Sequence, residues 1–323
     1  MTKDELEPAL RRFITVTSKA YADLTPAGPW SAPAARRVAE QVREPWRQGG
    51  PVMHQTREMF APTRHGQVRV RLHRPDADPA KPALFYLHGG GFTIFSIDTH
   101  DRVMREFAGR TGMAVIGVDY ALAPEAKFPV ALEQIVDVVR WTADQAQALD
   151  LDANRLAVAG DSAGGNLSFG AALSLRDAGR SNLLKAIVSI YGGFGVPASD
   201  EITTRYGDGY MLTREEAAFF WNNYLEDQAQ RANPLASPIQ ADLRGLPPCF
   251  MAIALMDINS EQNLTMVDRL LGAGVQVTTE VYENACHSFI EAVSISAVAE
   301  RAFKDMSQWL GEIFPPPHPP ADP

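Results

Sequence analysis

The stretch Arg155-Leu156-Ala157-Val158-Ala159-Gly160-Asp161-Ser162-Ala163-Gly164-Gly165-Asn166 decides how the chain is read. Residues 155–159 form a short apolar run of the kind that makes a strand covered on both faces. It passes without a spacer into Gly160-x-Ser162-x-Gly164, and a helical pattern over residues 166–178 follows. A serine on so sharp a strand-to-helix turn needs neighbours two positions away with almost no side chain. Gly160 and Gly164 meet that need, and Ala163 is small for the same reason. The turn lifts the Ser162 hydroxyl above the sheet and points the first helical N–H groups at whatever it attacks. An ordinary tight turn also uses such glycines, so the motif gains its weight from its surroundings.

Working outward, further strand candidates lie at residues 66–74, 83–87, 113–118, 185–190, 249–255 and 275–282. Several are nearly continuous in Val, Ile, Leu, Ala and Phe. Helical patterns separate them, at residues 130–147, 166–178, 261–271 and 296–314. Such alternation predicts the α/β class, with a mostly parallel central sheet flanked by helices in a single domain over residues 1–323. Two stretches break the rhythm. Residues 1–50 read as amphipathic helices broken by Pro26, Pro29, Pro33 and Pro45, and residues 195–231 carry the aromatic cluster Phe219, Phe220, Trp221 and Tyr224. Ligands of an open α/β sheet sit at the carboxyl ends of its strands, so both stretches are read as a helical cap over that end. Spacing alone fits the cluster equally well to the core face of one more helix. The proline-rich tail 315–323 is expected to be disordered.

A second apolar run, Ala83-Leu84-Phe85-Tyr86-Leu87, leads into His88-Gly89-Gly90-Gly91-Phe92. Attack on an ester carbonyl creates a negative oxygen that needs fixed donors, and backbone N–H groups free of obstructing side chains serve best. The N–H groups of Gly90 and Gly91, with that of Ala163, are assigned to this oxyanion hole. His88 is expected to brace the loop. A phosphate cradle would need a Lys-Ser/Thr pair after the glycines, and none follows.

A serine hydroxyl is inert at its own pKa and needs a base. Of seven histidines, His287 has the right setting, just past the last strand candidate and on the same rim as Ser162. The chain order for this arrangement is serine, acid, histidine, which places the acid between residues 162 and 287 at another strand end. The run Cys249-Phe-Met-Ala-Ile-Ala-Leu-Met-Asp257 ends on such a carboxylate. Asp257 would orient the His287 ring and stabilise its charged form. Cys286, next to the base, is read as structural.

The bulk numbers agree with a protein that handles neutral small molecules. In 323 residues, 46% hydrophobic and 21% charged, 39 acids oppose 30 bases for a net charge of −9. That balance argues against nucleic acid or an anionic membrane surface as partner. Two cysteines exclude a disulfide scaffold and a zinc-type cysteine cluster. No apolar run is long enough to span a bilayer, and the first residues show no secretory signal, so a cytoplasmic location is expected. No metal or cofactor is called for, and an exposed edge strand leaves a homodimer open.

The pairing of His88-Gly-Gly-Gly-Phe92 with Gly160-Asp-Ser-Ala-Gly-Gly165 resembles the hormone-sensitive lipase family of bacterial esterases. Asp119-Tyr-Ala-Leu-Ala-Pro-Glu125, followed by Phe128-Pro129, strengthens the likeness. The stretch from Gly91 to Arg102 is most similar to the acetyl esterases within that family. The resemblance spans about residues 83 to 290 and implies a capped α/β-hydrolase fold that hydrolyses short-chain acyl esters, acetyl to butyryl, without metal or cofactor. Two positions depart from the family pattern. The usual Asp-Pro-Leu-x-Asp-Glu run is here Asp257-Ile-Asn-Ser-Glu261-Gln262, and the usual arginine after Asp-Tyr is Ala121. A non-catalytic small-molecule-binding protein on the same scaffold, or a hydrolase of amides, lactones or carbonates, are the competing readings.

Overall fold

The structure, a computed structural model, describes residues 5–26 and 31–315. Eight strands form one sheet: β1 (Gln55–Thr63), β2 (Gly66–Arg74), β3 (Lys81–Leu87), β4 (Ala114–Val118), β5 (Leu151–Asp161), β6 (Leu184–Ile190), β7 (Cys249–Met256) and β8 (Val277–Cys286). Their order across the sheet is β1-β2-β4-β3-β5-β6-β7-β8. The six strands from β3 onward run parallel, while β1 and β2 are an antiparallel pair and β2 meets β4 antiparallel. The class expected from the sequence is therefore present, with β3 and β5 side by side at its centre.

The helices are α1 (Pro8–Leu24), α2 (Ala32–Arg43), α3 (Asp101–Thr111), α4 (Val130–Asp144), α5 (Ala163–Asp177), α6 (Asp200–Tyr206), α7 (Arg214–Tyr224), α8 (Ser260–Gly272) and α9 (Ala297–Ile313). Successive strand residues face opposite sides, and the central strands are buried on both. Along β3, Ala83, Phe85 and Leu87 join one apolar cluster, with Leu132 and Ile135 of α4, Leu167 of α5 and Met266 of α8. Leu84 and Tyr86 join the other, with Phe107 of α3, Phe303 and Met306 of α9 and Phe13 of α1. Near-continuous apolar strands are the signature of this double cover.

Local chemistry sets the helix ends. Thr213 and Glu216 form a capping box at the start of α7, Ser296 caps α9 by accepting from Ala299 N, and α3 stops at Gly112 in the left-handed region. Pro33 was expected to break a helix. It instead lies in the first turn of α2, where proline costs no hydrogen bond. Pro29 and the tail beyond Pro315 lie outside the described residues. The sequence reading also passed over β1, whose residues are mostly exposed because it is an edge strand with a single neighbour.

Phe85 is fully buried at the middle of the sheet. Phe85→Ala is expected to lower the unfolding free energy by about 3–5 kcal/mol, measured by urea denaturation. A loss under about 1 kcal/mol would show that the site collapses onto the gap.

Candidate active site

Ser162 links β5 to α5 with φ 53° and ψ −115°, a backbone conformation that a non-glycine residue rarely holds. Such a residue costs on the order of 1–3 kcal/mol and persists only where its surroundings leave no alternative. Here Ser162 N donates to Ile190 O at 2.9 Å, and Gly193 N donates to Ser162 O at 3.1 Å. The flanking glycines are a matter of space. A Cβ on Gly160 would lie 2.3 Å from the Gly164 carbonyl carbon, and one on Gly164 would lie 1.8 Å from Leu87 O.

Two neighbouring strands supply the other members. Met256 and Cys286 are paired across β7 and β8, so the residues after them, Asp257 and His287, emerge side by side at the strand ends. His287 Nε2 lies 2.9 Å from Ser162 Oγ, and Nδ1 lies 2.6 Å from Asp257 Oδ2. Asp257 is held in turn by Asn259 N, which donates to Oδ1 at 2.8 Å. Both side chains are buried. Burial alone would pull the His287 pKa below its ordinary value, but the charge and hydrogen bond of Asp257 outweigh it and hold the pKa above. The structure thus brings Ser162, His287 and Asp257 into one line. Cys286 is a buried free thiol whose pKa burial pushes far up, so it is no thiolate nucleophile.

The glycine loop after β3 lies against this line. Gly90 and Gly91 have φ 100° and 57°, and no described residue accepts a hydrogen bond from either N–H. Ala163, the first residue of α5, has an N–H of the kind a helix start leaves unpaired. The loop is fixed from behind by Asp161, whose Oδ1 accepts from Gly89 N at 2.9 Å and from Tyr86 Oη at 2.7 Å. His100 Nε2 stands 3.5 Å from the same oxygen. Burial opposes charge on Asp161 and on His100, yet each favours the other's ionised form, so the carboxyl titrates lower and the imidazole higher than usual. His88, stacked on Tyr120 at 4.3 Å, is pushed down to about 4 by burial and by His100, and is neutral at pH 7. Its carbonyl accepts from Tyr120 Oη at 2.7 Å.

A cavity of about 530 Å³ opens onto Ser162, His287, Gly90, Gly91 and Ala163. Further walls come from the two stretches that break the strand–helix rhythm, Tyr21 of α1 and Arg43 of α2 with Phe219, Phe220 and Trp221 of α7, and from Phe92, Ile94 and Phe95 after the glycines. Phe220 packs so closely on the glycine loop that a Cβ on Gly91 would lie 2.1 Å from its ring. Tyr224 of the same helix is buried, stacked on Phe92 at 3.7 Å. Residues 219–224 thus lie on one helix that packs through Tyr224 and lines the cavity through Phe219, Phe220 and Trp221. Among the described residues, no group of three or more His, Cys, Asp or Glu is placed to hold a metal ion, and no helix is long and apolar enough to cross a membrane.

Sequence reasoning passed over Asp161, Tyr86 and His100 as a buried brace, and Arg43 and Tyr21 as cavity walls. Only Asp161 carried a signal, as a charged residue between a buried strand and the serine. The others reach the site through tertiary packing that spacing does not encode.

Comparison with known proteins gives a consistent picture. A family model described as alpha/beta hydrolase fold matches residues 84–291. The structure is similar to that of a hyperthermophilic esterase from the archaeon Pyrobaculum calidifontis, with 32% identity and a TM-score of 0.89, covering 95% of this chain and 98% of that one. It is also similar to a thermostable carboxylesterase cloned from a metagenomic library, with 31% identity, a TM-score of 0.85 and coverage of 89% and 99%. An ester hydrolase from the metagenome of Lake Arreo matches at 28% identity with a TM-score of 0.88, covering 96% and 99%.

The contact at Gly164 makes a direct test of the turn. Gly164→Ala forces a methyl group onto the Leu87 carbonyl, and the variant is expected to be insoluble or to melt well below the parent in a thermal scan. An unchanged Tm would show that the turn is looser than its contacts imply.

Proposed function

The chain belongs to the alpha/beta hydrolase fold family, in its hormone-sensitive-lipase-like branch, and from that premise we propose that it cleaves short-chain carboxylic esters through Ser162, His287 and Asp257. It is a carboxylesterase of that family. The observation that carries the finer reading is the line from Ser162 Oγ to His287 Nε2 at 2.9 Å and from Nδ1 to Asp257 at 2.6 Å, opening on the cavity.

The steps follow from that line. Ser162 Oγ attacks the ester carbonyl carbon while His287 Nε2 takes its proton. The carbonyl oxygen becomes negative and receives the N–H groups of Gly90, Gly91 and Ala163. Loss of one such donor costs roughly 3 kcal/mol in the transition state. Asp257 stabilises the imidazolium that forms. Collapse breaks the bond to the alkoxy oxygen, which leaves as alcohol with the proton from His287. Water, activated by the same imidazole, then attacks the acyl-enzyme and releases the acid and Ser162. Helices α1, α2, α6 and α7 are read as the cap, and Phe220 against Gly91 as what keeps the acyl group short.

Turnover of p-nitrophenyl acetate and butyrate is expected, with little on acyl chains beyond about ten carbons, since Phe220 closes on Gly91 beside the serine. Ser162→Ala should lose roughly 10³-fold or more in kcat together with all fluorophosphonate labelling. Labelling that survives in that variant, or an unlabelled wild type, would sink the reading and favour a non-catalytic binder. Phe220→Ala should move the preferred acyl length upward, and an unmoved optimum would place the size limit elsewhere.

The pH dependence has a definite sign. His287 must be neutral to accept the proton, so kcat/KM falls as pH drops through its pKa, and that acid limb lies above the ordinary histidine value of 6.5. Asp257→Asn removes the charge that raises this pKa, so the limb moves to lower pH while kcat drops by about 10⁴-fold. A limb that moved upward in this variant would show that Asp257 does not act on His287.

A further inference from the structure

A buried charge pair beside this site takes no part in the steps above. Arg43, the last residue of α2, is 2% exposed, and its Nε lies 2.6 Å from Oε2 of Glu291. Glu291 is also buried and sits four residues after His287, in the short turn Phe289–Ala292. The guanidinium lies over the ring of Phe95 at 4.8 Å and over that of Phe13 from α1 at 5.4 Å. Phe95 in turn backs the glycine loop, since a Cβ on Gly90 would lie 2.7 Å from its ring. One guanidinium therefore touches three separate parts: the N-terminal helices, the ring behind the glycine loop, and the loop that carries His287.

Stability alone is a weak reason for such a pair, because desolvation offsets most of the attraction and an apolar pair of like volume often does as well. Arginine is suited to fixing geometry, with a flat face for stacking and a forked edge for a carboxylate. We propose that Arg43 and Glu291 form a positioning clamp that holds the His287 loop and the Gly90–Gly91 loop in their relative places. The inference rests on the catalytic reading given under Proposed function.

The clamp also bears on the charge of the base. Glu291 is faced by Arg43 of α2, Tyr21 of α1, Tyr86 of β3, His100 ahead of α3, Tyr191 after β6 and His287 after β8. Asp161 and Asp257 act on the same imidazole of His287. Glu291 favours the protonated imidazole, and Arg43 offsets Glu291. Removing the carboxylate alone leaves a permanent cation behind, so the His287 pKa must fall. Removing both charges returns it toward the wild-type value.

The test compares full-length wild type with Glu291→Gln, Arg43→Lys and the double variant Arg43→Met with Glu291→Leu. The readouts are pH profiles on p-nitrophenyl butyrate and fluorophosphonate labelling of Ser162. Glu291→Gln is expected to shift the acid limb of kcat/KM to lower pH. Arg43→Lys keeps the charge but loses the flat stack, so the limb stays while kcat falls roughly 10-fold or more with KM little changed, as for a displaced catalytic group. The double variant should keep the wild-type limb and show the same loss in kcat. A Glu291→Gln limb that stays in place or rises would overturn the clamp, and so would a double variant with wild-type kcat. If Glu291→Gln fails to fold, the split between kcat and KM in the other two variants decides. A wild type that neither turns over ester nor labels would instead defeat the catalytic reading itself.

Discussion

The arrangement depends on one steric constraint, the approach of Gly164 to the carbonyl of Leu87. The two backbones are so close that no side chain fits between them, as the 1.8 Å to a notional Cβ shows. That contact pins the start of α5 to the end of β3, and β5 joins the helix so placed through the positive φ of Ser162. The serine is thus raised over the sheet by the packing of two strands and a helix, and its strain is borne by the well-packed core beneath. The same contact brings the glycine loop after β3 beside the first N–H groups of α5. Hydroxyl and candidate donors are consequently placed by one piece of geometry.

Charge placement around that turn divides into two layers. Behind it, Asp161 binds Gly89 N and Tyr86, with His100 Nε2 3.5 Å from the same carboxylate oxygen. In front, Asp257 binds His287. Between the layers, burial and the ring of His100 5.7 Å away push His88 down to about 4. Two neighbouring histidines are thus shifted in opposite directions, and the one shifted upward, His100, is the one that reaches a carboxylate. The rear layer anchors the glycine loop at Gly89, so the donors proposed on it would need little reorganisation when charge develops.

What the sequence disclosed follows a physical division. The elbow, the glycine run and the strand tips at Asp257 and His287 were legible because each is a local rule. A buried strand reads as a continuous apolar run, and a sharp turn reads as small residues at fixed spacing. Edge strands obey no such rule. β1 carries Pro62 and mostly polar or exposed residues, and β8 continues through Glu283 and Asn284 to Cys286, four residues past its apolar stretch. At Asp257 the departure from the family pattern leaves the carboxylate anchored all the same, with Asn259 N as donor and α8 beginning at Ser260. Arg43 and Glu291 escaped notice for a different reason. Arg43 is an ordinary charge on a helical pattern and Glu291 one in a short turn, and only the fold brings them together in an apolar setting.

The cavity's shape links recognition to chemistry through α7. Tyr224 stacks on Phe92, directly after the three glycines, and Phe220 closes on Gly91 itself. The helix that walls the cavity beside the serine is therefore also the one that presses on the loop proposed to supply the oxyanion N–H groups. A bulkier residue at position 91 would collide with Phe220, and a smaller one at position 220 would relieve pressure on the loop. Substrate size and oxyanion geometry are in this way bound to the same few contacts. A change in acyl preference made at α7 should thus carry a change in transition-state stabilisation with it, because no layer of inert packing separates the two.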